Sequence, residues 1–457
     1  MSGNLTRRTF LMGAAAVAAG CATQPKMAAG PSVSPNGKLN MAAIGSGGKG
    51  MSDIWACRSE NVIALCDVDE AQAAEARSRF PNANFYQDFR VMLEKEPSID
   101  AVTVSTPDHT HAVAAAMAMR MGKHVYVQKP LTHDIYEARI LSQLAAETGV
   151  ATQMGNQGHS GEGVRQVCEM IWSGAIGEIR EVHIWTNRPV WAQGLDRPAG
   201  QDTPPASLDW DLWLGTAPER PYVSRHPATD RPAYHPWHWR GWWEFGTGAL
   251  GDMACHIMDP ANWALGLSNP EVVEPVTIID ATEEQAPVQS ITRYVFGQRS
   301  NIGPNLTMPA CTVYWYEGGL MPERPADIPE GQELGDGVNG TLFVGSDGYI
   351  TCGEYGGNPR LLPDERMADY TMPDPWIERV PGNSPYEDWL RACKGGPEAC
   401  SNFGYAGPFT EIVLLGALAQ RANAPIIWDA ANMRVVNDDA QHAQQYVKRE
   451  YRGSWTL

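Results

Sequence analysis

The sequence predicts an α/β protein with two domains, and three observations support this prediction. Between residues 39 and 159, short apolar strands alternate with helical segments. A glycine-rich loop joins the first strand to the first helix. From Val272 to Cys352, short strands follow one another without helices, which predicts an α+β domain with an open, mostly antiparallel sheet over residues 160–457. A chain of 457 residues with 43% hydrophobic residues can fill two cores.

The glycine-rich loop predicts what the first domain binds. A buried strand over residues 39–44 runs into Gly45-Ser46-Gly47-Gly48-Lys49-Gly50, which has the G-x-G-x-x-G spacing. Gly45 permits a tight turn, Gly47 lets the backbone approach a pyrophosphate, and Gly50 lets the helix pack on the strand. Such a loop alone is often only a turn. Here a strand precedes it and a helix follows, so residues 39–159 are predicted to form a Rossmann dinucleotide-binding domain.

Asp67 indicates which dinucleotide is bound. It ends a second strand, residues 61–66, and lies 22 residues after Gly45. A carboxylate at this position accepts hydrogen bonds from a ribose 2′-hydroxyl and repels a 2′-phosphate. The next residue, Val68, offers no cation, so the predicted cofactor is NAD and NADP is disfavoured.

Polar clusters follow three later strands, which are predicted at residues 99–104, 124–127 and 150–154. Ligands of parallel sheets bind beyond the carboxyl ends of the strands. We therefore predict cofactor contacts at seven positions within these clusters: Thr106, Pro107, His109, Gln128, Lys129, Asn156 and Gln157.

A helical stretch over residues 248–265 carries candidate catalytic groups. Asp252, His256 and Asp259 are spaced i, i+4 and i+7, which predicts one shared helix face. Oxidation of an alcohol needs a base for the hydroxyl proton. His256 is the candidate base, Asp252 holds substrate or orients the imidazole, and Lys129 polarises the oxygen. The alternative is a core histidine beside a solvated aspartate and a surface lysine. A metal site is not indicated, because the sequence lacks a pair of histidines spaced i and i+4 on a predicted helix.

An aromatic segment, residues 234–245, precedes this helix and contains four tryptophans. Flat rings stack on sugar rings, and interleaved polar groups bind hydroxyls, so the segment suggests a carbohydrate site. The alternative is a loop that packs on its own domain. The predicted substrate contacts are His235, His238 and Arg240, together with His159 and Asp259.

These motifs resemble the glucose-fructose oxidoreductase, inositol dehydrogenase and MocA family (Gfo/Idh/MocA). The resemblance rests on Thr106-Pro107 followed by His111, on the segment Gly122 to Leu131, and on Asp252-x-x-x-His256. It implies an active-site role for Lys129, with Gln128 replacing the family's usual glutamate. It also implies a sheet that packs between subunits, and therefore a homodimer or homotetramer.

Residues 1–38 are predicted to be a signal peptide and linker. Arg7 and Arg8 precede a short apolar run, which is typical of a twin-arginine export signal. The run ends in Ala18-Ala19-Gly20-Cys21, which resembles a lipobox, so the protein is expected in the periplasm or anchored to the membrane through a lipid on Cys21.

Charge and location restrict the function further. A formal charge of −18 disfavours nucleic acid. An exported enzyme meets no pool of free nicotinamide nucleotides, so its NAD must be tightly bound and recycled. The predicted function is an NAD-dependent oxidoreductase acting on a ring hydroxyl of a sugar or glycoside. The alternatives are an NAD-dependent glycosidase that oxidises the sugar transiently, and a sugar-binding lipoprotein with a relict cofactor site.

Overall fold

A computed structural model describes residues 37–457; the predicted signal peptide and Cys21 lie outside these residues. The first domain contains a six-stranded parallel sheet in the order β3-β2-β1-β4-β5-β6. Its strands are β1 (Asn40–Ile44), β2 (Asn61–Cys66), β3 (Asn84–Tyr86), β4 (Ala101–Val104), β5 (His124–Val127) and β6 (Thr152–Met154). Its helices are α1 (Lys49–Ala56), α2 (Ala74–Arg79), α3 (Phe89–Lys95), α4 (Asp108–Arg120) and α5 (Ile135–Thr148).

This order places the ends of β1 and β4 side by side at the centre of the sheet, where the chain reverses its winding direction and ligands bind. The predicted Rossmann fold is therefore confirmed. Two short elements, β3 and α3, carry weak sequence signals and were not predicted. Helix α2 begins only at Ala74, and before it the Asp69 carboxylate accepts a hydrogen bond from the Ala71 N–H in a turn.

The second domain is built on a nine-stranded sheet in the order β17-β16-β15-β7-β14-β11-β10-β18-β19. Only the pair of β7 and β14 is parallel, so the predicted open and mostly antiparallel sheet is confirmed. The strands are β7 (Ile179–Trp185), β10 (Val272–Ile279), β11 (Gln289–Phe296), β14 (Cys311–Glu317), β15 (Gly340–Gly345), β16 (Gly348–Cys352), β17 (Arg360–Leu362), β18 (Ile426–Asp429) and β19 (Arg434–Val435). Two small hairpins lie outside this sheet: β8 (Arg225–His226) with β9 (Arg231–Pro232), and β12 (Arg299–Ile302) with β13 (Leu306–Met308).

Seven α-helices lie in the second domain, residues 160–457, and several of them pack on the large sheet. They are α6 (Glu162–Trp172), α7 (Trp210–Leu214), α8 (Gly248–Ile257), α9 (Asp259–Leu265), α10 (Asp364–Ala368), α11 (Pro385–Cys393) and α12 (Phe403–Ala422). Helix α12 contacts β10, α8 and α5, so one apolar core extends through both domains. Residues of β11 alternate between buried and half-buried, which leaves the opposite sheet face partly exposed.

The predicted helix over residues 248–265 is two helices. Helix α8 ends at Ile257, and α9 begins at Asp259 with Pro260 in its first turn. A proline has no N–H to continue the hydrogen bonding of the preceding helix, and it favours a new start. The prediction that Asp259 shares a face with Asp252 and His256 is therefore wrong.

The eight cysteines within residues 37–457 are all unpaired, and seven of them are buried, as small apolar residues would be. No helix in this part of the chain is long and apolar enough to cross a membrane.

Candidate active site

A cavity of about 510 Å³ lies between the two domains. The carboxyl ends of β1, β2, β4 and β5 form its wall in the first domain. Helix α8, the aromatic segment and the loop around Tyr355 form its wall in the second domain. A cavity of this size suits a dinucleotide with a small substrate.

The glycine loop has the geometry that a dinucleotide requires. Gly45 has a positive φ of 77°, and a Cβ on it would lie 2.7 Å from the carbonyl oxygen of Ser105. A Cβ on Gly50 would lie 1.8 Å from the carbonyl oxygen of Gly45, so only glycine lets α1 approach the loop. Gly45 and Gly47 line the cavity, while Ser46 is buried behind them with its hydroxyl unpaired. These residues fit the pyrophosphate of NAD.

Asp67 lies at the end of β2 and lines the same cavity. Its Oδ2 accepts hydrogen bonds from the N–H groups of Ser46 and Gly47, at 2.9 and 3.0 Å. Burial raises the pKa of Asp67, although these N–H donors act against the shift. The carboxylate therefore holds the glycine loop in place and lines the cavity at the strand end where this fold binds a ribose.

Gln128 belongs to a buried network under the glycine loop. Asp53 in α1 is fully buried and accepts hydrogen bonds from Ser105, Tyr386, Lys49 and Gln128. The Gln128 amide donates at 2.9 Å. This position therefore needs a donor, which an ionised glutamate cannot supply.

Lys129 connects the two domains across the cavity. Its ammonium donates to the Oδ1 and the backbone oxygen of Asp252, both at 2.7 Å. Arg240 Nε donates to the same Oδ1 at 3.1 Å. Burial opposes ionisation of Asp252, but the charges of Lys129 and Arg240 outweigh it and hold the pKa of this carboxyl below its ordinary value. Asp252 therefore fixes two cations at the cavity wall.

His256 lies one helical turn after Asp252 and also lines the cavity. Its ring meets Tyr355 edge-on at 4.8 Å, and Nδ1 has no hydrogen-bond partner within residues 37–457. Burial and the nearby Lys129 charge hold the pKa of His256 well below its usual range. The imidazole is therefore neutral and able to accept a proton. Asp252 binds Lys129 and Arg240 and does not orient this ring.

Asp108 was not among the predicted site residues, yet it lines the cavity at the first position of α4. Thr247 Oγ1 donates to its Oδ2 at 3.0 Å, and burial raises its pKa to about 7 despite the nearby charges of Arg240 and Lys129. A carboxyl with this pKa exchanges its proton near neutral pH. The only sequence signal was its position directly after Thr106-Pro107, both of which also line the cavity.

The aromatic segment divides between cavity and core. Trp237 and Trp239 line the cavity, and the Arg240 guanidinium lies over their rings at 4.0 and 4.4 Å. Trp242 and Trp243 are buried, which agrees with the packing alternative for those two. The segment thus places the Arg240 guanidinium against the rings of Trp237 and Trp239, beside Asp252.

Three predicted cofactor or substrate residues, His109, Asn156 and His238, lie outside the cavity lining, and other groups hold the first two. Both ring nitrogens of His109 lie within hydrogen-bond distance of backbone oxygens, those of Phe245 and Trp213. Asn156 is fully buried and accepts a hydrogen bond from Ser401 at 2.6 Å. His238 has no place in the cavity lining. These three positions do not support direct ligand contacts.

His159 and Asp259 form a buried pair behind the cavity. The His159 Nδ1 lies 2.9 Å from the Asp259 carboxylate, which also accepts a hydrogen bond from the Tyr405 hydroxyl at 2.6 Å. Their predicted role as substrate contacts is corrected, because α9 turns Asp259 away from the site.

Two other predicted residues do line the cavity. The ring of His235 lines it but also binds Asp69 near the end of β2, and Gln157 lines it as predicted.

Comparison with known proteins identifies the family. Residues 39–156 match the oxidoreductase family with an NAD-binding Rossmann fold, and residues 164–297 match the C-terminal alpha/beta domain of the same family. The chain belongs to the Gfo/Idh/MocA oxidoreductase family. Both domains of a Gfo/Idh/MocA protein are thus present, and the N-terminal domain is its NAD-binding domain.

Two curated relatives of this Gfo/Idh/MocA protein are similar to parts of the chain. Levoglucosan dehydrogenase from Pseudarthrobacter phenanthrenivorans is 27% identical over 202 residues, which is 44% of this chain and 42% of the relative. A glycosyl hydrolase family 109 protein from Solibacter usitatus is 32% identical over 168 residues, which is 34% of this chain and 38% of the relative. The matches span about a third to a half of the curated relatives.

A solved structure shares the Gfo/Idh/MocA fold more completely. The WlbA dehydrogenase from Bordetella pertussis, in complex with NADH and UDP-GlcNAcA, has a TM-score of 0.58 and 18% identity. The similarity covers 86% of this chain and 99% of WlbA.

Proposed function

We propose that the protein oxidises a ring hydroxyl of a sugar or glycoside with tightly bound NAD that is recycled within the enzyme. The proposal rests on one observation: Lys129, Asp252, Arg240 and His256 share the cavity that the glycine loop and Asp67 also line. Relatives named as a levoglucosan dehydrogenase and a scyllo-inositol 2-dehydrogenase support a carbohydrate or polyol substrate.

The side chains divide the chemistry between them. Bound NAD supplies the hydride acceptor. The Lys129 ammonium, held by Asp252, donates a hydrogen bond to the substrate oxygen and stabilises negative charge on it. Neutral His256 takes the hydroxyl proton. Arg240 and the ring of Trp237 hold the remaining hydroxyls and one face of the sugar ring.

We assign Asp108 a further role, as a group that holds the proton removed from the substrate. Its carboxyl lines the same cavity and has a pKa of about 7. It is therefore able to release or receive a proton at neutral pH, while Asp252 stays ionised and the His256 ring stays available as the base.

The test of the function begins with the purified full chain. Bound dinucleotide is identified by mass spectrometry, and the reduced nicotinamide band near 340 nm is followed as neutral sugars, uronic acids and glycosides are added. Growth of the band without added cofactor is the expected result. A protein that holds no dinucleotide, and binds none when it is supplied, contradicts the proposal.

A second candidate is an NAD-dependent glycosidase that oxidises the sugar transiently. The similarity to a glycosyl hydrolase family 109 protein favours it, and the same residues serve the oxidation and the reversal. In the test above, cleaved glycoside without a lasting change in the nicotinamide band supports this candidate.

Export and assembly remain separate proposals. We propose export through Arg7 and Arg8, anchoring through Cys21, and self-association through the half-exposed face of the nine-stranded sheet. Fractionation of cells that express an Arg7→Lys/Arg8→Lys variant or a Cys21→Ala variant tests export and anchoring. Light scattering on the purified protein tests assembly, and a monomer at micromolar concentration contradicts it.

A further inference from the structure

A segment far from the motifs, residues 449–457, contributes to the cofactor cavity. Trp455 is the only residue beyond position 355 that lines this cavity in the part of the chain that the structure describes. No sequence pattern predicted this, because nearly 390 residues separate Trp455 from Asp67.

The segment is fixed to the first domain before it reaches the cavity. The Arg449 guanidinium is buried and donates to the backbone oxygen of His109 at 2.6 Å and to Glu137 at 3.2 Å. The Tyr451 hydroxyl donates to the same Glu137 carboxylate at 2.6 Å. The next residue in the chain, Arg452, pairs through its side chain with Asp211 of α7 in the second domain. These contacts place Trp455 independently of any ligand.

The position of Trp455 indicates which part of a dinucleotide it meets. Its ring packs on Phe89, with centroids 5.8 Å apart, and the Arg90 guanidinium lies 4.1 Å from its centre. Phe89 begins α3, directly after Gln87 and Asp88, which also line the cavity. Because β3 is the edge strand and β2 lies between it and β1, these residues line the outer side of the cavity, beyond Asp67 as seen from the glycine loop.

In a dinucleotide-binding fold the pyrophosphate lies at the glycine loop and the acid after the second strand holds a ribose. The base attached to that ribose therefore continues outward, toward Phe89 and Trp455. An indole ring is a stacking surface for any base, and a ring already fixed by a guanidinium loses little entropy on binding.

We propose that Trp455 is a binding residue for the adenine base of NAD and that the anchored segment 449–457 retards release of the cofactor. This inference rests on the proposed function, since it explains how NAD stays bound through repeated cycles. In this proposal, residues 449–457 contact the adenine base of the cofactor. Lys129 and His256 lie at its nicotinamide end.

The test measures cofactor release from three full-length proteins. Wild type, Trp455→Ala and Trp376→Ala are loaded with NADH, and its dissociation is followed by fluorescence after a chase with excess NAD. Trp376 is the matched control, because it is half exposed and lies outside the cavity. We expect release about 10-fold faster or more for Trp455→Ala, and an unchanged rate for Trp376→Ala.

Two fragments of the cofactor locate the effect. Affinity for 5′-AMP is expected to fall by a similar factor in Trp455→Ala, while affinity for nicotinamide mononucleotide stays the same. Arg452→Ala, which loosens the segment and keeps the ring, is expected to accelerate release by a smaller factor; it serves as the test if Trp455→Ala does not fold.

Equal release rates for wild type and both tryptophan variants overturn the inference and leave the proposed function intact. Failure of wild type to bind NADH at all overturns the proposed function itself. An equal loss of affinity for both fragments also overturns the inference, because it indicates general loosening of the domain.

Discussion

The Lys129 ammonium lies 2.7 Å from the Asp252 carboxylate, and this ion pair joins the two domains across the cavity. Lys129 follows β5 of the Rossmann domain, and Asp252 belongs to α8 of the second domain. Neither domain alone contains both groups. The position of the Lys129 cation in the cavity therefore depends on how the domains are docked.

We expect Lys129→Met to lower kcat at least about 100-fold, because the substrate oxygen loses the donor that stabilises its developing charge. NAD affinity is expected to change little, since the glycine loop and Asp67 are untouched. Steady-state kinetics and cofactor titration measure both. Lys123→Met is the matched control, because Lys123 donates to the backbone of Pro97 and lies outside the cavity. Unchanged activity in Lys129→Met removes this residue from the mechanism.

We expect His256→Asn to lower kcat by a factor of about 100 to 10,000, the usual contribution of a general base. Because burial and Lys129 depress the pKa of His256, the ring stays neutral as the pH falls through 6.5. An NMR titration of the imidazole resonances, assigned with the variant, is expected to show no protonation of His256 between pH 8 and 6. The exposed His442→Asn is the control. Protonation near pH 6.5 contradicts the depressed pKa of His256, and an unchanged kcat in His256→Asn contradicts its role as the base.

Asp108 makes a prediction about stability and pH. Its pKa is about 7 in the folded protein, and 3.8 is the ordinary value. The folded state therefore holds the proton more tightly than the unfolded state, and the stability that Asp108 contributes below pH 4 is lost as the pH rises through 7. Asp108→Asn removes this loss.

The free energy of unfolding of Asp108→Asn is thus expected to rise relative to wild type by about 2 to 3 kcal/mol between pH 5 and pH 8. Urea unfolding at several pH values measures it. Asp230→Asn, at a side chain that is 88% exposed, is expected to run parallel to wild type. Parallel curves for Asp108→Asn would show that this carboxyl titrates normally.

Asp67→Asn is expected to weaken NAD binding about 10-fold and to lessen the discrimination against NADP, because the repulsion of a 2′-phosphate is removed. Dissociation constants for both dinucleotides test this. Asp69→Asn, two residues later in the chain and bonded to His235, is the comparison and is expected to leave the ratio of the two constants unchanged. An unchanged ratio in Asp67→Asn would mean that shape, and not charge, selects the cofactor.

Local sequence patterns predicted many of the residues that line the candidate active site. The glycine loop, Asp67, Lys129, Asp252 and His256 are all brought to one cavity, because each lies at a strand end or on a helix whose period is visible in the sequence. Five of the six strands of the first domain follow from the same alternation, and only the short β3 does not.

Other contacts depend on long-range packing that no local pattern encodes. Asp259 was misplaced because a single proline starts a new helix and turns its side chain toward His159. His109 occupies the same cluster as Thr106, but neighbouring backbone oxygens hold its ring away from the cavity. Trp455 reaches the site because Arg449 and Tyr451 dock on the Rossmann domain and Arg452 binds Asp211 of the second domain.

The hydrogen bond between Gln128 and Asp53 implies that these two positions change together. An ionised glutamate at 128 would face a fully buried carboxylate at 2.9 Å, with no proton to share. A homologue with glutamate at 128 should therefore carry a neutral or donor side chain at position 53. Across the family, the residue before the lysine that corresponds to Lys129 is thus expected to vary together with a partner 75 positions earlier in the chain.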